Sequence, residues 1–428
     1  MLSPADADLV ARDQRLPGLA LLFDETALSE EIKRRCPAAT IGDLRANYVR
    51  YKPGTSCIVG YSARSRSGET VLYARTHTPS ASAKIEKVAA QGHVDNSIGF
   101  GAITIASPPM AVYAFPNDHE LRCLPHLQHP QRRRALLHRA LYDSLPAGDI
   151  GYEPLRYKPE RRYVARVSGG SGLRLRLKFY IDRDFELAKS NARAVNPSGP
   201  LRFAPVAGHS DRRKVLAFDW VEGTSLREII RSGCPRPELV ASTGAALAHL
   251  HRCKPTKRMR RAWTPYARQS VIAGEAVAAI RPDLGQRVEA VVHRFNEELS
   301  DDRPPPTAIH GDLSADQILV SGEEIVLLDL DRARAGHPQV DIGSFAANLL
   351  VDAFCGRLPK EAVPGITASL LDGYRHEAGI DLEPRIQRFI AANLLRLAVE
   401  PFRLRHRDWS DVVEAILGHA EELVYRGD

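Results

Sequence analysis

The sequence predicts an α+β fold in which strands dominate the first half of the chain and helices dominate the second half. In the first half the tetrapeptide Arg-Tyr-Lys-Pro occurs twice, at 50–53 and 156–159, and each copy is followed by apolar runs separated by turns. From residue 237 onward, apolar residues recur mostly at helical spacing. A hairpin pattern of two short apolar runs interrupts these helices, and polar residues lie on both sides of it.

The two copies of the tetrapeptide begin the same order of elements. The predicted strands are Cys57–Tyr61 and Val71–Arg75 in the first copy, and Tyr163–Val167 and Leu173–Lys178 in the second. A helical stretch and another strand pair follow in both, which indicates duplication of one module. We therefore predict an N-terminal module at 1–146, a second module at 147–235 and a helical region at 236–428.

Composition and charge exclude several functional classes. The chain has 428 residues and a net charge of +7, but its arginines occur in short clusters without interleaved aromatic residues, so we expect no nucleic-acid partner. The basic balance also argues against a strongly cationic substrate. Six scattered cysteines without a Cys-x-x-Cys pair are typical of free thiols in a reducing compartment. With no secretion signal and no apolar run of about eighteen residues, we expect a cytoplasmic protein without a membrane segment.

The hairpin carries the residues with the clearest chemistry. His310, Asp312 and Gln317 precede its first strand, and Asp329 and Asp331 follow its second strand. Carboxylates together with a carboxamide suit Mg²⁺, which prefers hard oxygen ligands and usually shares them with substrate phosphates.

This stretch resembles the catalytic core of the aminoglycoside phosphotransferase and choline kinase family, within the protein-kinase-like superfamily. That family has His-Gly-Asp, four further residues, an Asn, a strand and a metal-binding Asp. Here His310-Gly311-Asp312 is followed by four residues, and Gln317 stands where the family has Asn. The resemblance implies a bilobal kinase-like fold, with a small β-rich N-lobe and a helical C-lobe, preceded here by an extra N-lobe-like module.

The resemblance also implies roles for individual residues. Asp312 would orient and deprotonate an acceptor hydroxyl, while Gln317 and Asp329 would hold Mg²⁺. His310 would brace its loop, and Asp341 matches a position whose Asp braces the catalytic loop. Asp331 is interpreted as a solvated loop acid, with a second metal-ligand role left open.

The second module is the predicted nucleotide-binding one, because it runs directly into the helical region. Lys178 matches the family's phosphate-pairing lysine, and Glu186 is the nearest helix acid that could orient it. Ser168, Gly169 and Gly170 either cover phosphates with backbone N–H groups or form a plain hairpin turn. The hinge residues expected to meet adenine are Asp219, Trp220 and Val221.

In the first module the position of Lys178 is taken by Arg75, which changes the geometry of a phosphate contact. That module is therefore expected to serve packing, substrate shaping or dimerisation, with a homodimer left open.

The expected function is Mg²⁺- and ATP-dependent phosphorylation of a hydroxyl on a small molecule, with GTP not excluded. The acceptor could be a sugar, an amino alcohol or an aminoglycoside, since these classes share the catalytic loop. The alternative is a catalytically inactive regulatory protein that binds a nucleotide or a metabolite, and nucleotidyl transfer also stays open. Basic residues at 401–408 form either a solvated face or a binding surface for an acidic or polyhydroxylated acceptor.

Overall fold

The computed structural model describes residues 2–65, 68–89, 98–141, 145, 148–194, 201–233, 236–262, 264–298, 307–383 and 385–425. Its contacts divide the chain into two compact units. The first comprises Met1–Asp182, Ala207–Ala217 and Phe402–Arg407, and the second comprises Arg183–Val206, Phe218–Pro401 and Asp408–Asp428. Residues 146, 147 and 235, at the predicted boundaries 146/147 and 235/236, lie outside the described ranges, and that three-part division stays a prediction.

The first unit opens with three helices and a five-stranded antiparallel sheet. The helices are α1 (Pro4–Arg12), α2 (Leu19–Phe23) and α3 (Glu25–Arg35). The strands are β1 (Leu44–Lys52), β2 (Ser56–Ser65), β3 (Gly68–His77), β4 (Ala102–Ile105) and β5 (Met110–Ala114), with α4 (Ser82–Ala89) between β3 and β4. Their order in the sheet is β1-β2-β3-β5-β4.

A second five-stranded sheet follows with the same strand order. It is preceded by α5 (Pro125–Gln128) and α6 (Pro130–Leu141) and contains β6 (Ile150–Lys158), β7 (Arg162–Gly169) and β8 (Arg174–Tyr180). After α7 (Asp182–Ala194) and the short β9 (Arg202–Phe203), the chain adds β10 (Val206–Ser210) and β11 (Val215–Asp219). The sheet order is β6-β7-β8-β11-β10, which matches that of the first sheet strand for strand.

The correspondence between the two sheets extends to single residues. Ile58 pairs with Arg75 in the first sheet, and Val164 pairs with Lys178 in the second. Aligning the two Arg-Tyr-Lys-Pro segments superposes Ile58 on Val164, so Arg75 occupies the position of Lys178. The same alignment places α2 and α3 over α5 and α6, so the repeated pattern includes helices that precede each sheet.

Apolar side chains from α6 and the second sheet form a buried core in the first unit. Leu137 on α6 and Tyr163, Leu177 and Phe179 on β7 and β8 are essentially inaccessible to solvent. This burial explains the alternation of apolar residues along β7 and β8, because successive residues of a strand face opposite sides of the sheet.

The segment Phe402–Arg407 packs against α1 and α2 of this unit. The Phe402 and Phe23 rings make an edge-to-face contact with centroids 6.1 Å apart. Arg405 donates hydrogen bonds to both carboxylate oxygens of Asp6, at 2.9 and 2.7 Å. Arg405 is therefore held in an ion pair, and it fits neither the solvated face nor the acceptor-binding surface expected for 401–408.

The second unit is mainly helical. Its helices are α8 (Leu226–Arg231), α9 (Pro237–Arg252), α10 (Lys257–Arg261), α11 (Tyr266–Ile280), α12 (Gly285–Glu298), α13 (Gln339–Phe354), α14 (Ala362–Ala378), α15 (Ile386–Leu397) and α17 (Trp409–Tyr425), while α16 (Glu400–Arg403) begins in this unit and ends in the Phe402–Arg407 segment. A small sheet of order β12-β14-β15-β9 is built from β12 (Thr224–Ser225), β14 (Ile318–Ser321), β15 (Glu324–Leu327) and β9, and β13 (Ala308–Ile309) pairs with β16 (Arg334–Ala335).

Across the described residues, none of the helices has both the length and the apolar composition that crossing a bilayer requires. The cysteines that the structure describes are free thiols, as expected from their spacing, while Cys234 lies outside the described residues.

Helices α9 and α14 approach each other through a pair of glycines. A Cβ atom on Gly244 would overlap the carbonyl oxygen of Leu370, and one on Gly373 would overlap that of Ala241. Both obstacles are backbone atoms, which cannot swing away as a side chain can. The close crossing of the two helices therefore requires glycine at both positions.

We expect Gly373→Ala to lower the free energy of unfolding by about 1–3 kcal/mol, because the added methyl group forces the two helices apart. The matched control is Gly365→Ala on the same helix, where a Cβ meets no atom within 4 Å. That change should stabilise the protein by about 0.5–1 kcal/mol through helix propensity. Urea unfolding measures the free energy of unfolding of both variants. An equal change in the two variants would contradict the close crossing of the helices.

Candidate active site

The loop His310-Gly311-Asp312 is fixed by a buried carboxylate. The backbone N–H groups of His310 and Gly311 donate to the two oxygens of Asp341, at 2.6 and 2.8 Å. Asp341 is fully buried on α13, and its Oδ2 lies 3.0 Å from Nε2 of His251. Burial alone would raise the pKa of Asp341, but the hydrogen bond and charge interaction with His251, together with His310 and the N–H of Gly311, hold the pKa below its ordinary value. The predicted bracing role of Asp341 is confirmed.

His310 has a bracing role as well. Its side chain is fully buried, and Nε2 lies 2.8 Å from the carbonyl oxygen of Leu328. Since a carbonyl can only accept, Nε2 carries the proton and donates it in this hydrogen bond. The imidazole thus ties the loop to the end of β15, in agreement with the predicted role.

Gly311 is required by the backbone of this loop. Its φ is +82°, and an added Cβ would lie 2.5 Å from the carbonyl oxygen of Arg332. Glycine alone accommodates both the left-handed conformation and the close approach. The middle residue of the His-Gly-Asp pattern is thereby explained by local geometry.

Asp312 lies among guanidinium groups. Nη1 of Arg396 donates to Oδ1 of Asp312 at 2.9 Å, and Nε of Arg332 lies 3.8 Å from Oδ2. The Asp312 side chain keeps 35% of its surface exposed, so an acceptor can reach it. Burial would raise the pKa of Asp312, but the charges of Arg396 and Arg332 hold it below its ordinary value. Asp312 is therefore an anion near neutral pH.

Arg396 is a residue that sequence reasoning missed. It is held on α15 by hydrogen bonds to Oδ1 of Asn393, at 3.1 and 3.2 Å, and to Oγ of Ser344, at 3.2 Å. These partners hold the guanidinium group in the orientation in which it contacts Asp312. The sequence carried no local signal for the contact, because the two residues are 84 positions apart.

Gln317 and Asp329 lie at one end of the β14–β15 hairpin. Ile318 pairs with Leu327, and the N–H of Leu328 donates to the carbonyl oxygen of Gln317 at 2.8 Å. Asp329 is the next residue, half-buried and in the left-handed conformation with φ +68°. A non-glycine residue in that conformation is strained, and such strain concentrates at functional sites.

The Gln317 side chain has a definite conformation. Its Oε1 accepts a hydrogen bond from the N–H of Ser314 at 3.1 Å, which closes a reciprocal cap on the short 3-10 turn Ala315–Gln317. The longer side chain is thus folded back along its own turn, with its carbonyl oxygen held at the hairpin end.

The donor set at the hairpin end fits Mg²⁺ and not zinc. Within the described ranges, no group of three or more His, Cys, Asp or Glu side chains could hold a metal ion by itself. Mg²⁺ is usually bound by one or two protein oxygens plus water and substrate phosphates, and Asp329 and Gln317 supply such oxygens. A structural zinc ion would need four nitrogen or sulfur ligands.

Lys178 lies in the first unit, near the end of β8. Its side chain is only 2% exposed. The neighbouring turn is the one formed by residues 159–161 between β6 and β7, because Arg162 pairs with Tyr180, two residues beyond Lys178. The turn next to the lysine is therefore not the glycine-rich one.

The glycine-rich turn lies at the other end of the same strand pair. Ser168 pairs with Arg174, four residue pairs from the pair Val164–Lys178, or about 13 Å along the strands. Gly169 and Gly170 close this turn by exchanging backbone hydrogen bonds with Leu173, at 3.0 and 3.3 Å. The structure does not bring Ser168, Gly169 and Gly170 to Lys178, and it favours the plain hairpin turn.

The remaining predicted residues lie in the second unit. Glu186 is on α7, 44% exposed, and pairs with Lys189 at 3.3 Å. Asp219 is exposed and donates its N–H to Pro205 at 2.9 Å, while Trp220 and Val221 are half-buried. The roles of these residues toward a nucleotide stay predictions.

Asn191 on α7 is a second residue that sequence reasoning missed. It is fully buried, and its Nδ2 donates to the carbonyl oxygens of Ala333 at 2.9 Å and Leu330 at 3.2 Å. These contacts fix the loop that follows Asp329. A single Asn on a helix gave no indication of this long-range role.

Solved structures with low identity resemble the chain. A choline kinase from Cryptosporidium parvum Iowa II is 10% identical, with 67% of this chain and 92% of that chain covered and a TM-score of 0.49. An ethanolamine kinase from Plasmodium vivax is 12% identical, with 72% and 95% covered and a TM-score of 0.49. The ADP-bound aminoglycoside phosphotransferase APH(2'')-Ib is 12% identical, with 68% and 98% covered and a TM-score of 0.47. No curated protein matches.

The predicted α+β class is confirmed: strands dominate the first half of the chain, helices dominate the second, and an additional sheet precedes the second five-stranded sheet. The model of a family described as the phosphotransferase enzyme family matches residues 150–380, starting at the first strand of the second sheet. Because this match spans more than half of the chain, the protein belongs to the phosphotransferase enzyme family.

Proposed function

We propose that this protein is a kinase that transfers the γ-phosphoryl group of ATP, with Mg²⁺, to a hydroxyl group of a small molecule. The observation that carries the proposal is the ionised, half-exposed Asp312 on a loop braced by Asp341. The hairpin that holds Gln317 beside Asp329 provides further support. Membership of the phosphotransferase family supports the reaction class.

In this proposal Asp312 accepts the proton of the acceptor hydroxyl. The hydroxyl oxygen forms a bond to the γ-phosphorus as the bond to the bridging oxygen of ADP breaks. Gln317 and Asp329 would hold Mg²⁺, which when bound neutralises charge on the phosphates. Lys178 would pair with the phosphates as a point charge.

The inactive regulatory alternative depends mainly on Gln317 in place of Asn. The carbonyl oxygen of Gln317 is held by Ser314, so the extra methylene does not leave the amide unconstrained. A binding protein also has no need of a base kept ionised by two arginines. These contacts favour the catalytic proposal.

The surroundings of Asp312 favour a sugar over a cationic acceptor. Besides Arg396 and Arg332, Arg334 donates from Nη1 to the carbonyl oxygen of Gly311 at 3.0 Å. Two guanidinium groups at the carboxylate, with a third at the carbonyl of the preceding residue, disfavour an ammonium group, but they hydrogen-bond readily to hydroxyl, phosphate or carboxylate oxygens. We therefore expect neutral or acidic sugars to be better acceptors than amino alcohols or aminoglycosides.

Thermal unfolding with ATP and GTP, each with and without Mg²⁺, tests the nucleotide site. A ligand at a hundred times its Kd stabilises the folded chain by about 2.7 kcal/mol, so we expect a Mg²⁺-dependent rise in Tm with ATP. Asp329→Asn should abolish the rise. Glu324→Gln, at the turn end of the same hairpin, is the control that should keep it. The absence of any rise with either nucleotide would favour the regulatory alternative.

A panel of acceptors tests the substrate class. Neutral and acidic sugars, choline, ethanolamine and an aminoglycoside are incubated with Mg²⁺ and ATP, and the products are identified by mass spectrometry. We expect the sugars to be phosphorylated, and choline, ethanolamine and the aminoglycoside to remain unmodified. Preferential phosphorylation of the aminoglycoside would overturn the charge argument, and addition of an AMP group would indicate nucleotidyl transfer.

A further inference from the structure

Arg75 occupies in the first sheet the position that Lys178 occupies in the second. Its partner is a buried glutamate, Glu160, in the turn between β6 and β7 of the second sheet. Nη1 of Arg75 lies 2.6 Å from Oε1 of Glu160. The Arg75 side chain is 13% exposed and that of Glu160 is 4% exposed. Arg75 is thus held in a buried ion pair, which gives the cation at this position of the first module a structural role.

Glu160 belongs to the turn of residues 159–161 between β6 and β7. Its Oε2 lies 3.0 Å from Nη2 of Arg50 on β1, and Nη1 of Arg50 donates to its carbonyl oxygen at 3.1 Å. The first module therefore binds this turn with two arginines, through both its side chain and its backbone.

The same anchor for a turn occurs in both modules. In the first, the Tyr51 hydroxyl and the Gly54 N–H donate to Oδ2 of Asp13, at 2.7 and 2.8 Å. At the corresponding turn of the second module, the Tyr157 hydroxyl and the Glu160 N–H donate to Oδ2 of Asp118, a residue that precedes α5, at 2.7 and 2.9 Å. The Tyr of the repeated Arg-Tyr-Lys-Pro segment thus has the same role in both copies.

The two turns differ in the residue that adopts the left-handed conformation. Gly54 has a φ of +59°, and Glu160, at the equivalent position, has a φ of +51°. Glycine adopts this conformation without strain, whereas a glutamate does not. The second module therefore carries a strained residue where the first carries an unstrained one, and the contacts that Glu160 makes with Arg75 and Arg50 account for the difference.

The anchored turn is the one beside Lys178. Arg162, the first residue after the turn, pairs with Tyr180, two residues beyond the lysine. Any displacement of the turn would be transmitted through this short stretch of β7 to the strand that carries Lys178. Fixing the turn thus fixes the surroundings of the lysine.

We propose that the first module is a built-in clamp for the nucleotide-binding module: Arg75 and Arg50 hold Glu160, and so keep the 159–161 turn in the position that nucleotide binding at Lys178 requires. The inference rests on the proposed kinase function. Glu160 and Arg75 are positioning residues, since they act through the turn and not by touching the nucleotide.

Isothermal titration of the full-length protein with Mg²⁺ and ATP tests the clamp. We expect Glu160→Gln and Arg75→Met each to weaken nucleotide binding about tenfold, and the double variant to bind no more weakly than either single one. The matched control is Glu31→Gln, which removes a carboxylate that pairs with two arginines on α3, outside this network. It should bind nucleotide as the wild type does.

The variant Glu160→Gly distinguishes loss of the clamp from a general loss of folding. It restores the glycine found at the equivalent position of the first module, so the turn is free of strain, but it removes the ion pairs. We expect a folded protein, as shown by a cooperative thermal transition, with nucleotide binding still weakened. Wild-type affinity in Glu160→Gly and Arg75→Met would overturn the clamp alone. Failure of the wild type to bind any nucleotide would overturn the proposed function as well.

Discussion

Replacing Asp312 by Asn is expected to lower kcat about 10²–10⁴-fold, the usual contribution of a positioned general base. The amide keeps the size of the side chain and can still accept a hydrogen bond from Arg396, but it cannot take the acceptor proton. Because Asp312 is not assigned to the nucleotide, the Kd for Mg²⁺ and ATP should be unchanged. Steady-state kinetics with an acceptor from the panel, together with titration of ATP, measures both quantities.

Asp316→Asn is the control for that substitution, since Asp316 is a half-buried carboxylate on the same loop without an assigned catalytic role. It should retain most of the activity. If Asp312→Asn kept wild-type kcat, the assignment of the base would be wrong.

Arg396→Gln adds a pH test, because it removes a charge that lowers the pKa of Asp312. The acidic limb of the pH–rate profile should therefore move to higher pH.

Replacing Asp341 by Ala is expected to lower the free energy of unfolding by about 3–5 kcal/mol, the usual cost of removing one partner of a buried ionic network. The change leaves the N–H groups of His310 and Gly311 without their acceptor and removes the partner of His251. Because the same N–H groups hold the catalytic loop, activity should fall too. Urea unfolding monitored by circular dichroism gives the stability.

Asp341→Asn is the milder comparison, since its carbonyl oxygen can still accept one of the two backbone hydrogen bonds. We expect the free energy of unfolding of Asp341→Asn to lie between those of the wild type and Asp341→Ala. The pKa of Asp341 is lower in the folded chain than its ordinary value of 3.8, so its contribution is present above that pH and is lost as the pH falls through the folded value. A wild-type stability for Asp341→Ala would contradict the bracing role.

Local patterns predicted much of this molecule. The helix α3 begins at Glu25 and ends at Arg35, as its acidic start and the proline at position 37 indicate. The β14–β15 hairpin followed from two apolar runs around a Ser-Gly turn. The pairing of Arg75 with Ile58 places that arginine at the position of Lys178, as the repeat indicated.

Contacts between distant residues could not be predicted in this way. Arg396 reaches Asp312 from a helix 84 positions later, and Asn191 holds a loop about 140 positions away, with no periodicity linking the partners. The choice between the two interpretations of the glycine-rich turn could not be made from sequence for another reason: composition identifies a turn but not which end of a strand pair it joins. Lys178 lies near the opposite end, where the turn contains a glutamate in place of glycine.

Transfer of a phosphoryl group from ATP to a sugar hydroxyl tests the central claim most directly. The wild type and Asp312→Asn are incubated with ATP labelled at the γ-phosphate, Mg²⁺ and the sugar panel, and labelled sugar phosphate is separated and counted. The proposed function predicts labelled product from the wild type, dependence on Mg²⁺, and a loss of about two orders of magnitude or more in the variant. Product formed equally by both proteins, or label that never leaves ATP despite nucleotide binding and a full acceptor panel, would contradict it.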